Sequence, residues 1–135
     1  MISKDFLLAG NATFTVSNPE GKHYTYKVQK AKTQLYPDRP AFFIKALTGA
    51  DNENSYTYLG MVKETGVRLT RASKYHADST IYRVAHWAVK HIINGVPVPT
   101  GYKIDHAGTC GRCGRKLTTP ESIALGLGPV CAGLS

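Results

Sequence analysis

The sequence predicts an α+β fold: an antiparallel meander sheet of about five strands packed by one long helix, followed by a small cysteine-bearing appendage. Three observations carry this expectation. Between residues 10 and 70 the strand-like segments follow one another with turns and no helical segment between them, which argues against a parallel sheet. Apolar residues take up helical spacing between Asp78 and Asn94. All 3 cysteines lie together near the C-terminus, at Cys110, Cys113 and Cys131.

The strands are read in order. Residues 13–16 are strand-like, and Asn18-Pro-Glu-Gly21 has turn chemistry with proline at the second position. His23-Tyr-Thr-Tyr-Lys-Val28 alternates, with Tyr24, Tyr26 and Val28 on one face and Thr25 and Lys27 on the other. Pro37 and Pro40 interrupt pairing, and a third strand covers residues 41–47. After the polar loop Asp51-Asn-Glu-Asn54, a fourth strand covers 55–62 and a fifth 67–70, joined through Gly66.

The helix starts at an Asp78 or Ser79 cap and stops at Gly95, with Pro97 beyond. Ile81, Val84, Ala85, Ala88 and Ile92 form its apolar stripe, with Trp87 beside it as a core residue. Arg83, His86 and Lys90 lie on or near the other side. Packing the stripe across one face of the sheet gives a first domain over residues 1–95. Val96-Pro-Val-Pro99 makes residues 96–101 a stiff linker, and residues 102–135 form the appendage. That last piece is too short and too glycine-rich to bury a core unaided, which is itself a reason to expect a metal.

His106-Ala-Gly-Thr-Cys110-Gly-Arg-Cys113 and the later Gly128-Pro-Val-Cys131 supply the donors of one closed tetrahedral zinc site. A Cys-x-x-Cys turn gives two thiolates, Cys131 a third and His106 the fourth; Gly111 and Gly114 let the loop curl. Asp105, His76, His86 or His91 could replace His106 as the fourth ligand. An open site with a zinc-bound water is the outcome if no fourth ligand exists.

The competing readings of the cysteines are weaker. An odd number of cysteines with no visible secretory signal argues against a disulfide framework. A thioredoxin-like pair needs its motif at a helix start after a strand, and this one follows a glycine-bearing loop. A zinc deaminase needs a glutamate two residues after the histidine, where this chain has Gly108. Within the same piece, Thr119-Pro120-Glu121 reads as a helix start, and Gly126 ends the short helix.

With 17 basic and 9 acidic residues the net charge is +8, and the excess is spread along the chain. That distribution suits a partner with many phosphates. No apolar run approaches the roughly 18 residues of a membrane helix, so no membrane role is expected. There is no Gly-x-Ser-x-Gly, no phosphate loop and no His-Glu-x-x-His, so no enzyme class is indicated. No feature requires a particular oligomeric state.

The string Cys110-Gly-Arg-Cys113-Gly-Arg-Lys-Leu117-Thr, then Pro120-Glu-Ser122-Ile, then Gly126-x-Gly128-Pro129-x-Cys131 resembles a small zinc-binding domain of unknown function. That domain is common in bacteriophage and mobile-element proteins, and the resemblance covers about residues 106–133. Upstream, Phe14-Thr-Val, Tyr24-Thr-Tyr, Leu47-Thr-Gly, Tyr56-Thr-Tyr-Leu-Gly60 and Trp87 look like the N-terminal part that accompanies it in short phage proteins. The resemblance implies a phage or prophage origin, and hence the cytoplasm of a host bacterium. It also implies zinc (Zn2+) on Cys110, Cys113 and Cys131 with His106. It brings no activity with it.

The expected function is therefore that of a non-catalytic, zinc-containing nucleic-acid-binding protein, with single-stranded DNA or RNA favoured. A twisted sheet that displays tyrosines among lysines can stack bases, with Tyr24, Tyr26, Tyr56, Tyr58, Lys27 and Lys45 as candidates. Arg112, Arg115 and Lys116 on the zinc knuckle are candidates for phosphate contact. The alternative expectation is a phage module that binds a host protein and inhibits or redirects an enzyme or defence complex.

Overall fold

The computed structural model describes residues 2–32, 40–49, 55–113, 116, 117 and 126. A short helix α1 (Lys4–Leu7) precedes the meander β1 (Asn11–Ser17), β2 (His23–Lys30), β3 (Phe42–Leu47), β4 (Tyr56–Lys63) and β5 (Gly66–Arg68). Helix α2 (Thr80–Asn94) and strand β6 (Lys103–His106) follow. All six strands form one antiparallel sheet in the order β5-β4-β3-β2-β1-β6, curled into a half-barrel.

The first four strands fall close to where the sequence puts them, with alternation the reason in β1 and β2, while β5 is corrected: it begins at Gly66, expected as the joint, and ends at Arg68 instead of residue 70. In β1 and β2 every second residue is buried: Ala12, Phe14 and Val16, then Tyr26 and Val28, with Tyr24 half-buried in line with them. Ile44 and Ala46 continue this inner face across β3, and Leu59 and Val67 across β4 and β5. The register shifts at Ile44/Lys45, where Lys45 faces Tyr58 and Ile44 faces Gly60. Leu59 is the extra residue of that bulge, and it is fully buried.

The sixth strand is an addition to the predicted meander. It comes from the segment assigned to the appendage and pairs with β1, so that Ile104 lies opposite Val16 and His106 opposite Phe14. Four residues with one strong apolar position make a weak alternation signal, and the long-range pairing with β1 is what makes the strand.

α2 has 15 residues, an ordinary length and not the long helix expected. Gly95 ends it in the left-handed conformation at φ 64°, where its amide and that of Val96 donate to the carbonyls of Ile92 and His91. Ser79 stands at the N-cap, but its hydroxyl turns back to donate to the His76 carbonyl. The buried face is Ala85, Ala88, Val89 and Ile92, while Ile81 and Val84 sit half-buried on the core's border.

Two expectations for α2 are corrected. Trp87 packs against the core from its border, half-buried, with His91 and Tyr102 on it at ring-centroid distances of 4.7 and 5.3 Å, instead of lying inside the core. His86 does not lie on a free side. Its Nδ1 accepts the Val67 amide at 3.0 Å, and Tyr82 donates its hydroxyl to the Val67 carbonyl at 2.6 Å. These two side chains occupy main-chain groups of an edge strand that would otherwise be open to a foreign strand. The close approach requires Gly66, at φ +128°, because a Cβ there would run into the His86 imidazole.

Removing either partner strands a main-chain group at the sheet edge. His86→Ala and Tyr82→Phe should each destabilise the fold by about 1–3 kcal/mol. Urea unfolding of both variants measures this, with Arg83→Ala on the exposed side as a near-neutral reference.

Candidate metal centre and nucleic-acid interface

The cysteine loop grows directly out of β6. The Ala107 amide donates to the Thr13 carbonyl, extending the β1–β6 ladder past its last paired residue. The chain then turns back on itself: Thr109 bridges Lys116, and the Leu117 amide donates to the Gly108 carbonyl at 2.9 Å. Cys110-Gly-Arg-Cys113 forms the tip. The amides of Arg112 and Cys113 point at the Cys110 sulfur, at 3.4 and 3.5 Å. Two N–H dipoles aimed at one sulfur offset negative charge there, as a thiolate ligand requires. Cys110 is fully buried and Cys113 exposed, so the loop presents one sulfur inward and one outward.

Packing fixes this loop against the N-terminus. Phe6 is 1% exposed, and its ring lies against Gly111 and Gly126. A Cβ at either glycine would stand 2.6 or 2.5 Å from the ring. The Gly111 amide donates to the Gly126 carbonyl at 2.8 Å, and the Asn11 amide donates to the Gly111 carbonyl at 2.7 Å. His106 tilts against the other side of the neighbourhood, its ring 5.6 Å from that of Phe6.

The expected ligands are only partly brought together. His106 Nδ1 accepts the Gly108 amide at 2.9 Å. A neutral imidazole in that bond carries its proton on Nε2, so neither ring nitrogen can take a metal until the Gly108 bond is given up. Among the described residues no three His, Cys, Asp or Glu side chains form a metal-holding group. Cys131, Gly114, Arg115 and the predicted helix start at Thr119-Pro120-Glu121 lie outside the described residues. Of the alternative fourth ligands, His86 bonds the Val67 amide, His91 bonds the Val96 carbonyl at 3.1 Å, and His76 and Asp105 are exposed. Arg112 and Lys116 are exposed on the cysteine hairpin, as phosphate contacts would need to be.

The aromatic candidates divide between the two faces of the sheet. Tyr26 is a correction: it is fully buried, and its hydroxyl donates to the Ile81 carbonyl at 2.8 Å. Burial, with Tyr24 adding to it, pushes its phenol well above the ordinary range. Its ring has no face to offer a base. Tyr24 is half-buried on the same inner side.

Lys27, Lys45, Tyr56 and Tyr58 share the opposite face. Lys27 lies directly across from Lys45, and Lys45 across from Tyr58. The Lys27 ammonium sits 4.4 Å over the Tyr56 ring and the Lys45 ammonium 5.3 Å over the Phe43 ring. Phe43 in turn tilts against Tyr58 at 6.2 Å. Burial raises the Tyr56 phenol above its usual value, so it stays neutral. Phe43 was missing from the sequence candidates. Its signal was available, two residues from Lys45 on the same strand face.

A family model described as a family of unknown function (DUF6011) matches residues 104–134. The match begins inside β6 and takes in the cysteine hairpin. No curated protein and no solved structure matches the chain.

The Phe6 contact makes a direct prediction. Phe6→Ala should cost about 3–5 kcal/mol. Gly111→Ala should be destabilising on its own and much less so in a Phe6→Leu background, because the two positions compete for one space. Denaturant midpoints of the two singles and the double give that coupling.

Proposed function

We propose that this chain is a non-catalytic, zinc-containing nucleic-acid-binding protein of phage or prophage origin, acting in the cytoplasm of a host bacterium on single-stranded DNA or RNA. The observation that supports this most is the pairing of Lys27 with Lys45. Like charges directly opposite on adjacent strands repel. No carboxylate among the described residues forms an ion pair with either. The rings of Tyr56 and Phe43 are their neighbours instead. A phosphate placed there relieves the repulsion, and the adjacent rings offer faces on which bases can stack.

Among the described residues both helices pack from the other side, so neither covers this face. The net charge of +8 supports the same partner by drawing it in from a distance. Zinc would be held by Cys110, Cys113 and Cys131, with His106 as fourth ligand once its bond to Gly108 is released. Its contribution is structural: it would fix the hairpin and the exposed Arg112 and Lys116, with Arg115, for phosphate contact.

Binding to labelled single-stranded DNA, RNA and duplex DNA over a salt series tests the reading. Single strands should bind tightest, with affinity falling steeply as salt rises. A Lys27→Ala, Lys45→Ala double variant should lower the slope of log affinity against log salt by about 1.4 units, for two lost single-strand phosphate contacts. Absence of binding at low salt would overturn the reading and leave a host protein as the partner to seek.

Native mass spectrometry tests the metal separately. The expected result is a single zinc per chain, lost in Cys113→Ala. A metal-free protein with an unchanged unfolding midpoint would remove zinc from the proposal.

A further inference from the structure

On the helix side of the sheet lies an open cleft of about 590 Å³, between the β1–β2 turn, the first half of α2 and the segment before β6. Three aromatic side chains wall it: Tyr24, Trp87 and Tyr102. Val16 and Val84 supply apolar surface between them. Lys22, Arg83 and Glu20 also line it, and all three are exposed.

The walls are built, and their charged groups are uncommitted. Asn18 Oδ1 accepts the amides of Glu20 and Lys22 at 3.0 and 2.8 Å, which fixes the turn that presents both side chains. Gly101, at φ +92°, packs on Pro19 so closely that a Cβ would stand 2.8 Å from the ring, which seats Tyr102 beside this turn. The Trp87 ring is braced by Tyr102 and by His91. Among the described residues, Lys22, Arg83 and Glu20 make no ion pair. The Trp87 indole N–H and the Tyr24 and Tyr102 hydroxyls have no hydrogen-bond partner there either.

We propose that this cleft binds a nucleotide, with its base against the rings of Trp87, Tyr102 and Tyr24 and its phosphate between Lys22 and Arg83. The chemistry selects that class. Flat aromatic walls favour a planar ring. Two cations against one carboxylate favour an anion, and a guanidinium with an ammonium suits phosphate. Glu20 accepts N–H groups, which bases with an exocyclic amine provide. The volume falls within the roughly 300–1,000 Å³ typical of small-molecule sites. The site is on the opposite side of the sheet from Lys27 and Lys45, so the inference does not rest on the sheet-face reading.

The test uses the intrinsic fluorescence of Trp87, the chain's single tryptophan. The full chain is titrated with the monophosphates of guanosine, adenosine, cytidine and uridine, each beside its unphosphorylated nucleoside and inorganic phosphate. Corrections come from a free tryptophan analogue. The expected result is a saturable change with nucleotides, weaker with nucleosides and absent with phosphate alone. Uridine monophosphate should bind least well, and Glu20→Gln should narrow that preference.

Arg83→Gln and Lys22→Gln, both exposed and tolerable to the fold, should each weaken binding about tenfold or more. Lys27→Ala, Lys45→Ala should leave the titration unchanged, so failure here and failure of the sheet-face reading are separate results. Comparing the free nucleotide with a 5′-phosphorylated oligonucleotide distinguishes a monomeric ligand from a strand end. No saturable change at millimolar nucleotide, or a change that Arg83→Gln and Lys22→Gln leave intact, overturns the proposal.

Discussion

The ring of Phe6 is the contact on which the two ends of the molecule depend. It sits in the first helical turn of the chain, yet it packs on Gly111 and Gly126 and beside His106. Both glycines are needed because any side chain at either position would occupy the space of the ring. The cysteine hairpin has little apolar surface of its own: among its described residues Leu117 is the large buried one. It borrows a core from the N-terminus. A segment that the sequence reads as a metal-stapled appendage is thereby tied to the body by packing, by the Asn11–Gly111 hydrogen bond and by the strand that leads into it.

From this arrangement the two faces of the sheet acquire different work. The inner face carries the core and the two described helices, and at its open end leaves a cleft where aromatic rings meet charges that form no ion pair among the described residues. The outer face carries threonine pairs, lysines and aromatic rings. Thr15 and Thr25, bonded at 2.8 Å, show its half-wet character. Period-two alternation sends Tyr24 and Lys27 to opposite sides although they are three residues apart. A sequence rich in tyrosine and lysine therefore does not present one mixed surface. It presents two, one with a cleft beside the helix and one with lysines over aromatic rings.

The start of the meander was legible because β1 and β2 alternate and the turn between them carries its own chemistry. Asn18 takes two turn amides, and Gly66 supplies a positive φ where His86 approaches. The helix end was legible for the same local reason at Gly95. What escaped was set by distant partners. β6 has one strong apolar residue and exists because β1 offers it an edge. His86 reads as a surface residue until Val67 is seen beside it. Tyr26 and Tyr56 are indistinguishable as strand tyrosines, and only the position of α2 buries one and leaves the other on the open side. For the cysteines, spacing suggested a set of metal donors. It could not announce that the Gly108 amide already holds the His106 ring.

The strand order also dictates a sequence of assembly. β1 to β5 pair with their neighbours along the chain, so each pairing closes a short loop. β6 must find β1 at the far edge, after α2 has carried the chain across the inner face. Closing that loop costs more chain entropy than any hairpin, so it favours coming last. On a growing chain β6, Cys110 and Cys113 are also made after α1, β1 and α2. The hairpin that carries Cys110 and Cys113 is thereby favoured to dock on a surface that the meander and α2 have already formed.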